Sequence, residues 1–271
     1  LNNALQKLSI HHYQHCESYS KMIDASGIDL NRIDCFSEIP FLPVRLYKMM
    51  DLLSVEKEDI IKTMTSSGTS GQAVSKIYLD KETSSLQTKT LAKIVSSFIG
   101  NKRAPMLIID TDAILKNRNM FSARGAGILG FSIFGSKRMY ALDANMNLKV
   151  DEIKEFLNVH KDKPIFLFGF TFMVWQHFFK QLEEKNITIN LSEGILIHGG
   201  GWKKLISESV TSSEFKKRLY EQTGIKHVHD YYGMVEQTGT IYMECEEGHL
   251  HCPVYSDIII RKPFDFKKAG L

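Results

Sequence analysis

The segment Met64-Thr65-Ser66-Ser67-Gly68-Thr69-Ser70-Gly71 concentrates hydroxyls and glycines in one short loop. Free backbone N–H groups and hydroxyls can replace the hydration shell of a phosphate, so this composition suits an anion. Lys76, five residues beyond Gly71, adds a positive charge. The loop lacks the spacing and the Lys-Ser/Thr ending of a Walker A motif, which argues against a P-loop nucleotide hydrolase. An ordinary Ser/Gly turn has the same make-up. A second cluster is His198-Gly199-Gly200-Gly201-Trp202, directly after the apolar run Ile195–Ile197. Backbone without side chains lets a flat group such as a purine lie against the peptide planes, although a spare-glycine turn before a helix reads the same way. The third is Asp230-Tyr231-Tyr232-Gly233-Met234-Val235-Glu236-Gln237-Thr238-Gly239. An aromatic face can stack on a base, and a carboxylate can hold Mg²⁺, which prefers one or two carboxylates plus substrate phosphates. Taken singly, these residues are a turn and a surface charge.

In this order the three clusters resemble the adenylate-forming superfamily of acyl-CoA synthetases, adenylation domains and firefly-type luciferases. The resemblance implies that Thr65, Ser66, Ser67, Gly68, Thr69, Ser70, Gly71 and Lys76 grip ATP phosphates. Gly199, Gly200, Gly201, Tyr231, Tyr232 and Gly233 would frame adenine, Glu236 would hold Mg²⁺, and Glu236 and Thr69 would serve the catalytic step. The resemblance narrows with His11-His12-Tyr13-Gln14-His15-Cys16, Ile39-Pro40-Phe41-Leu42-Pro43-Val44, Ser66–Gly71, His198-Gly199-Gly200-Gly201-Trp202-Lys203-Lys204 and Tyr232–Gly239. These stretches look like the LuxE-type acyl-protein synthetases. That likeness implies ATP-dependent activation of a long-chain fatty acid to an acyl-adenylate, then acyl transfer to a protein cysteine, with an acyl reductase or acyl-carrying protein as partner. An acyl-CoA ligase similar to phenylacetate–CoA ligases, and a non-catalytic scaffold docking an acyl reductase, are the alternatives. The family's ribose-binding Asp, its lid with a catalytic Lys and its acyl-accepting Cys have no counterpart here. The expectation is a large N-terminal portion of such an enzyme.

Adenylation suits residues of these kinds. A carboxylate is a poor electrophile, and the step collects negative charge on phosphoryl oxygens that amides, hydroxyls and a cation stabilise. An acyl tail needs a mostly apolar pocket. Phe168, Gly169, Phe170 and Thr171 at a strand end, His198, and Phe131–Phe134 are the candidates for it, against the alternative of plain core packing.

Other features carry less. Gly125-Ala126-Gly127-Ile128-Leu129-Gly130 matches the dinucleotide fingerprint without a preceding apolar strand, so it reads as a glycine-rich loop beside the pocket. Arg124 reads as a surface arginine or a phosphate contact. Cys245, His249, His251 and Cys252 fall within eight residues, so zinc is an option, but their spacing is not that of a tetrahedral Cys-pair site. His11 and His15 are one helical turn apart, able to share a metal or to sit as polar helix positions. Neither a Gly-x-Ser-x-Gly elbow nor a His-Glu-x-x-His helix is present.

The elements that must position these residues follow from periodicity. Apolar residues from Leu5 to Tyr19 recur at helical spacing and predict a helix to about Ala25, stopped by Gly27. Pro40 and Pro43 predict an extended segment. Short apolar runs at Met106–Ile109, Ile165–Phe168, Ile195–Ile197 and Ile258–Ile260 predict strands. Helical patterns at Lys81–Ile99, Val150–His160, Phe172–Lys185 and Leu205–Gln222 lie between them. That alternation predicts a mixed, largely parallel α/β sheet flanked by helices. Thr240–Met243 and Leu250–Ile260 predict an appended antiparallel pair. The expected organisation is an N-terminal helical and extended segment over 1–60 on a core of 61–271. The 271 residues carry 34 Lys+Arg against 31 Asp+Glu, which gives no basic face for nucleic acid. No run approaches the roughly 18 apolar residues that span a bilayer, so no membrane insertion is expected. Four scattered cysteines fit a reducing cytoplasm better than a disulfide framework.

Overall fold

The computed structural model describes residues 1–66, 73–116 and 123–269. The chain folds as two units, one formed by Leu1–Lys89, Met234–Gly239 and Ser256–Leu271, the other by Thr90–Gly233 and Thr240–Tyr255. The first takes in residues as far as 89 and two late segments, because those segments pack on the early chain.

In the first unit the expected single N-terminal helix is two, Asn2–His15 and Glu17–Ser26. Cys16 breaks them with extended dihedrals (φ −131°, ψ 100°) while its amide still donates to the His12 carbonyl. The break lets Cys16, Tyr19, Ile23 and Leu30 share a small core. Gly27 ends the second helix at φ 67°, the left-handed conformation that only glycine adopts without strain. Strands β1 (Lys62–Thr65) and β2 (Lys76–Leu79) form an antiparallel hairpin, from Lys62↔Leu79 to Thr65↔Lys76. The late segment is tied back by Arg261, whose Nη2 donates to the Ser37 carbonyl at 2.7 Å. Its guanidinium lies 4.8 Å from the Phe41 ring centroid, and Phe266 packs on the same ring.

The second unit is built on a sheet of β3 (Ala104–Ile108), β4 (Gly135–Tyr140), β5 (Ile165–Phe170), β6 (Gly194–Gly199), β7 (His227–Tyr232), β8 (Tyr242–Glu244) and β9 (Leu250–His251). Its order is β4-β3-β5-β6-β7-β8-β9. The first five strands are parallel, and β8 and β9 add antiparallel at one edge. This is the mixed, largely parallel α/β architecture that the alternation of apolar runs and helical patterns predicts. Every residue of β3 and β5 is buried, as a strand covered on both faces requires. The covering helices include Val150–Val159, Ser212–Thr223 and a helix over 171–184 whose middle, Val174–Phe179, is a π-turn. The Leu205–Gln222 pattern resolves into a 3₁₀ segment, Lys203–Glu208, and the Ser212–Thr223 helix, capped by Thr211 Oγ1 accepting from the Glu214 amide.

Two expectations are corrected. Residues 258–260 are not a strand, and Ile258 and Ile260 are exposed. The antiparallel ladder stops at His251, just before Pro253, which has no N–H to donate. The Gly125–Gly130 stretch is not a loop but part of the helix Ala123–Ser132. Its Gly127 lets the helix approach β5, since a Cβ there would lie 2.9 Å from Phe170 Cζ. The same ring is pinned on another side by Gly200, whose Cβ would lie 2.5 Å from Phe170 Cδ1, so it has little room to yield. Overpacking of about 1–3 kcal/mol therefore outweighs the gain of about 1 kcal/mol in helix propensity. Gly127→Ala is expected to lower stability by about 1 kcal/mol net, read as a lower urea midpoint at unchanged slope. A higher midpoint would mean that Phe170 moves freely.

Candidate active site

Ligands of open parallel sheets bind beyond the carboxyl ends of the strands. Three adjacent strands end together here. Gly169 pairs with His198 and His198 with Asp230, while Phe170 pairs with Gly199 and Gly199 with Tyr231. The fold thus gathers, within the second unit, the residues singled out for the acyl group and for adenine. The three glycines after β6 differ in what they serve. A Cβ on Gly199 would lie 2.6 Å from Tyr231 Cε1, and Gly200 (φ 81°) faces Phe170. Of the three, Gly201 (φ 65°) alone borders open space, with no atom within 4 Å of where a Cβ would stand. The first two glycines therefore admit the protein's own rings, and Gly201 leaves open backbone.

The aromatic candidates divide in the same way. Phe168 and Phe170 are core residues, 0% and 7% exposed, with Phe168 stacked on Phe131 at 4.2 Å. Tyr231 packs against Phe131, and burial pushes its phenol pKa up, helped by the charge of Asp230. Tyr232 points to the other face, as strand alternation dictates, and half of it is exposed.

His198 is the centre of a polar network that sequence reasoning missed. Its Nδ1 lies 3.0 Å from Thr171 Oγ1 and 3.7 Å from Asp230 Oδ1, and its Nε2 is buried with no hydrogen-bond partner among the described residues. Burial drives its pKa down to about 3, with Glu244 opposing and Lys216 and His229 adding to the fall. Asp230 is pushed up to about 6 by burial and by Glu244. Burial also favours the neutral form of Glu244, but bonds from the Asp230 amide (2.9 Å), Ser212 Oγ (2.8 Å) and Lys216 (3.1 Å) outweigh it and hold its pKa below the usual range. A second buried pair, Asp110 and Arg124 at 3.0 Å, sits where β3 ends. Arg124 is thus an internal counter-ion and not a surface arginine. Burial raises the Asp110 pKa against the opposing charge of Arg124.

The hydroxyl-rich loop belongs to the first unit. Ser67, Gly68, Thr69, Ser70 and Gly71 lie outside the described residues, but the neck of the loop is defined. Beyond the Thr65↔Lys76 pair, the Ser66 amide donates to the Ser75 carbonyl at 3.1 Å and Ser66 Oγ accepts from the Ser75 amide at 2.9 Å. The ladder therefore extends past the Thr65↔Lys76 pair to Ser66 and Ser75. Lys76 carries its ammonium 3.8 Å from Asp51. Asp51 also accepts from the Tyr78 hydroxyl, and this bond raises the Tyr78 pKa to about 12.

The Glu236 turn is in the same unit as that hairpin. It is closed by the Gln237 amide donating to the Met234 carbonyl at 3.1 Å. At its end Gly239, at φ 83°, comes within 3.6 Å of the Gln87 backbone, measured from an ideal Cβ. The Gln87 side chain in turn contacts Lys62 Nζ at 3.4 Å and Met64 Sδ at 3.2 Å. Gln87 therefore lies close to the end of the turn and bonds to β1. Its place in the middle of the Lys81–Ile99 helix gave no sequence signal for this role.

The Cys/His group does not assemble as a metal site. Among the described residues Cys245, His249, His251 and Cys252 do not form a cluster of three ligands. The tight turn, closed by Cys245 N–H to His249 O and Gly248 N–H to Cys245 O, and the short β9 distribute them. His11 and His15 stack at 4.4 Å, with His15 Nδ1 bound to the His11 carbonyl. A cleft lined by Leu157, His160, Lys163 and Asn190 lies at the amino ends of β5 and β6 and contains none of the candidate residues.

The fold is that of adenylate-forming ligases. A 2-hydroxyisobutyryl-CoA ligase in complex with 2-HIB-AMP and CoA in the thioesterification state matches with a TM-score of 0.70 at 15% identity, over 99% of this chain and 56% of that one. An open conformation of the same ligase matches with a TM-score of 0.67 at 15% identity, over 99% and 62%. Within that class the chain belongs to the acyl-protein synthetase family LuxE, whose family model matches residues 1–270. A long-chain-fatty-acid–luciferin-component ligase of Photorhabdus luminescens is 38% identical over 61 residues, which are 22% of this chain and 52% of that protein. The matched portions of these relatives are thus 52% to 62% of their own lengths. No helix among the described residues is long and apolar enough to cross a membrane.

Proposed function

We propose that this chain carries the ATP-dependent activation of a long-chain fatty acid. A carboxylate oxygen attacks the α-phosphorus of ATP, the bond to the β-phosphate oxygen breaks, and acyl-adenylate and pyrophosphate form. A cysteine thiolate then attacks the acyl carbon, and AMP leaves as the thioester forms. The observation that carries the reading is the alignment of Phe170, Gly199 and Tyr231 across three neighbouring strand ends, joined to membership of the LuxE family.

In this reading the loop Thr65–Gly71, closed at its base by Ser66 and Ser75, holds the phosphates, with Thr69 at the reacting end and Lys76 adding charge. Gly201 and the exposed ring of Tyr232 offer adenine a backbone surface and a stacking face, bordered by Gly199, Gly200, Tyr231 and Gly233. Phe170, at the carboxyl end of β5, borders the acyl group, backed from the core by Phe168, Gly169 and the buried neutral imidazole of His198. Glu236 is a hard oxygen donor of the kind Mg²⁺ prefers, so the residue fits that ion. Bound there, Mg²⁺ would supply positive charge to the phosphates. The acyl acceptor is a protein thiol, and an acyl reductase or acyl-carrying protein is the natural recipient. A reducing cytoplasm suits the cysteines, all four of which are free.

The test is exchange of labelled pyrophosphate into ATP by the native gene product, with and without fatty acid. Acid-dependent exchange, with label from the fatty acid on protein and released by neutral hydroxylamine, is expected. Label on CoA instead would reassign the acceptor. Failure of every acid to support exchange would sink the proposal and favour a scaffold that docks an acyl reductase.

A further inference from the structure

We infer that His227, His229 and Glu246 form a binding site for a divalent transition-metal ion of the zinc class, separate from the candidate active site and clamping the β8–β9 turn onto β7. The ligand atoms of these three residues all lie within 4.8 Å of one another. His227 Nδ1 is 3.7 Å and His229 Nε2 is 3.9 Å from the same oxygen, Glu246 Oε1. Bonds of about 2.0–2.1 Å to a tetrahedral ion would set ligand atoms roughly 3.4 Å apart, so each histidine nitrogen needs to close on Glu246 Oε1 by only a few tenths of an ångström, and the two histidine nitrogens, within 4.8 Å of each other, by about 1.4 Å at most.

The fold produces the arrangement by simple means. His227 and His229 are two residues apart on β7, which puts both rings on one face of the strand. β8 runs antiparallel to β7, from Tyr232↔Tyr242 and Tyr231↔Met243. Continuing along β8 therefore carries the chain back past His229 and brings Glu246, in the turn before β9, beside both histidines.

One ring is already oriented for a metal. His229 Nδ1 lies 3.0 Å from the main-chain carbonyl of Glu244. A carbonyl only accepts, so the proton sits on Nδ1, and a neutral ring then presents a lone pair at Nε2. Fixing one nitrogen on a backbone carbonyl is how proteins set the tautomer of a metal-binding histidine. Phe98 packs edge-on to the same ring at 4.9 Å, and the side chain is only 6% exposed. The lone pair therefore faces a carboxylate oxygen. A cation shared between the two atoms would bond to both. His227 and Glu246 are exposed, so the ion can enter from solvent. Two imidazoles and one carboxylate favour zinc, nickel or copper over magnesium or calcium, and a three-residue set leaves a position for water.

The test is calorimetric titration of Zn²⁺ into chelator-stripped, tag-free protein, with Co²⁺ absorption as a reporter of ligand type. One ion per chain is expected, with a rise in thermal midpoint. His227→Ala and Glu246→Gln, both at exposed positions and so without effect on the metal-free fold, should each weaken binding by about tenfold or more and abolish the rise. Absence of stoichiometric binding would overturn the site. So would unchanged affinity in both variants, or a sulfur-to-cobalt charge-transfer band that Cys245→Ser removes.

Discussion

Glu236→Ala is expected to lower fatty-acid-dependent pyrophosphate exchange by about 100-fold or more, the loss typical when one electrostatic stabiliser of a transition state is removed. The urea midpoint should stay within error. Glu236 is half-buried, lies in a turn closed by backbone bonding between Gln237 and Met234, and makes no salt bridge among the described residues. Truncating it removes a charge without opening a cavity. The end of the turn at Gly239 passes near Gln87, whose side chain reaches Met64 in β1. In the proposed reaction, a carboxylate and a phosphate-binding loop in one unit would serve a cation held between carboxylate and phosphate. Raising Mg²⁺ should partly restore exchange by Glu236→Gln, because an amide oxygen still coordinates while the charge is lost. Full exchange by the alanine variant at ordinary Mg²⁺ would remove Glu236 from the metal role. A large fall in urea midpoint would make its role structural.

The sheet was legible because its strands are short, continuous apolar runs between amphipathic helices, and burial on both faces leaves no other use for such runs. Ile165–Phe168 and Ile195–Ile197 are of this kind, and they fall inside β5 and β6. Residues 258–260 carry the same local signal without the same fate, since a β run pairs only where the chain delivers it to a free sheet edge. Period counting also cannot see that Cys16 interrupts a helix, because the pattern continues in phase across one extended residue. Glycine motifs were legible as positions and not as purposes. Gly127 and Gly200 press on the same ring from a helix and a strand end, a relation that exists only in three dimensions. The polar network around His198 had still less signature. Thr171, Asp230, Ser212, Lys216 and Glu244 are spread over more than seventy residues of sequence and meet because β5, β6, β7 and β8 are neighbours. Buried polar groups of this sort are bonded to partners chosen by the fold, so a single sequence names the candidates only after the strands are ordered.

His198 also sets the second large expectation, a loss of stability in acid that this one side chain controls. Its folded pKa of about 3 lies below the ordinary 6.5. Between those values the unfolded chain takes up a proton that the folded chain refuses, so stability falls as pH drops through that window and is recovered above pH 6.5. From pH 6.5 to pH 4 the cost is on the order of 3 kcal/mol. Asp230 acts in the opposite sense. Its folded pKa of about 6 is above the ordinary 3.8, so it favours the folded state more as pH falls through that range, though its side chain is 45% exposed and solvent screening shrinks the effect. Comparing wild type with His198→Gln cancels the distant carboxylates to first order, and because Asp230 lies 3.7 Å from His198 the same comparison is made in the Asp230→Asn background. The stability difference between them, from urea midpoints at pH 7, 6, 5 and 4, should shift by about 3 kcal/mol against the wild type at the acid end. Most of that change belongs below pH 6. Parallel curves would mean that the imidazole takes up a proton in place, through water reaching its unpartnered Nε2. In the proposed reaction His198 would then meet the fatty-acid carboxylate as a cation. A neutral imidazole beside an acyl group can only donate or accept a hydrogen bond, which orients the carboxylate without neutralising the charge that attacks the α-phosphorus.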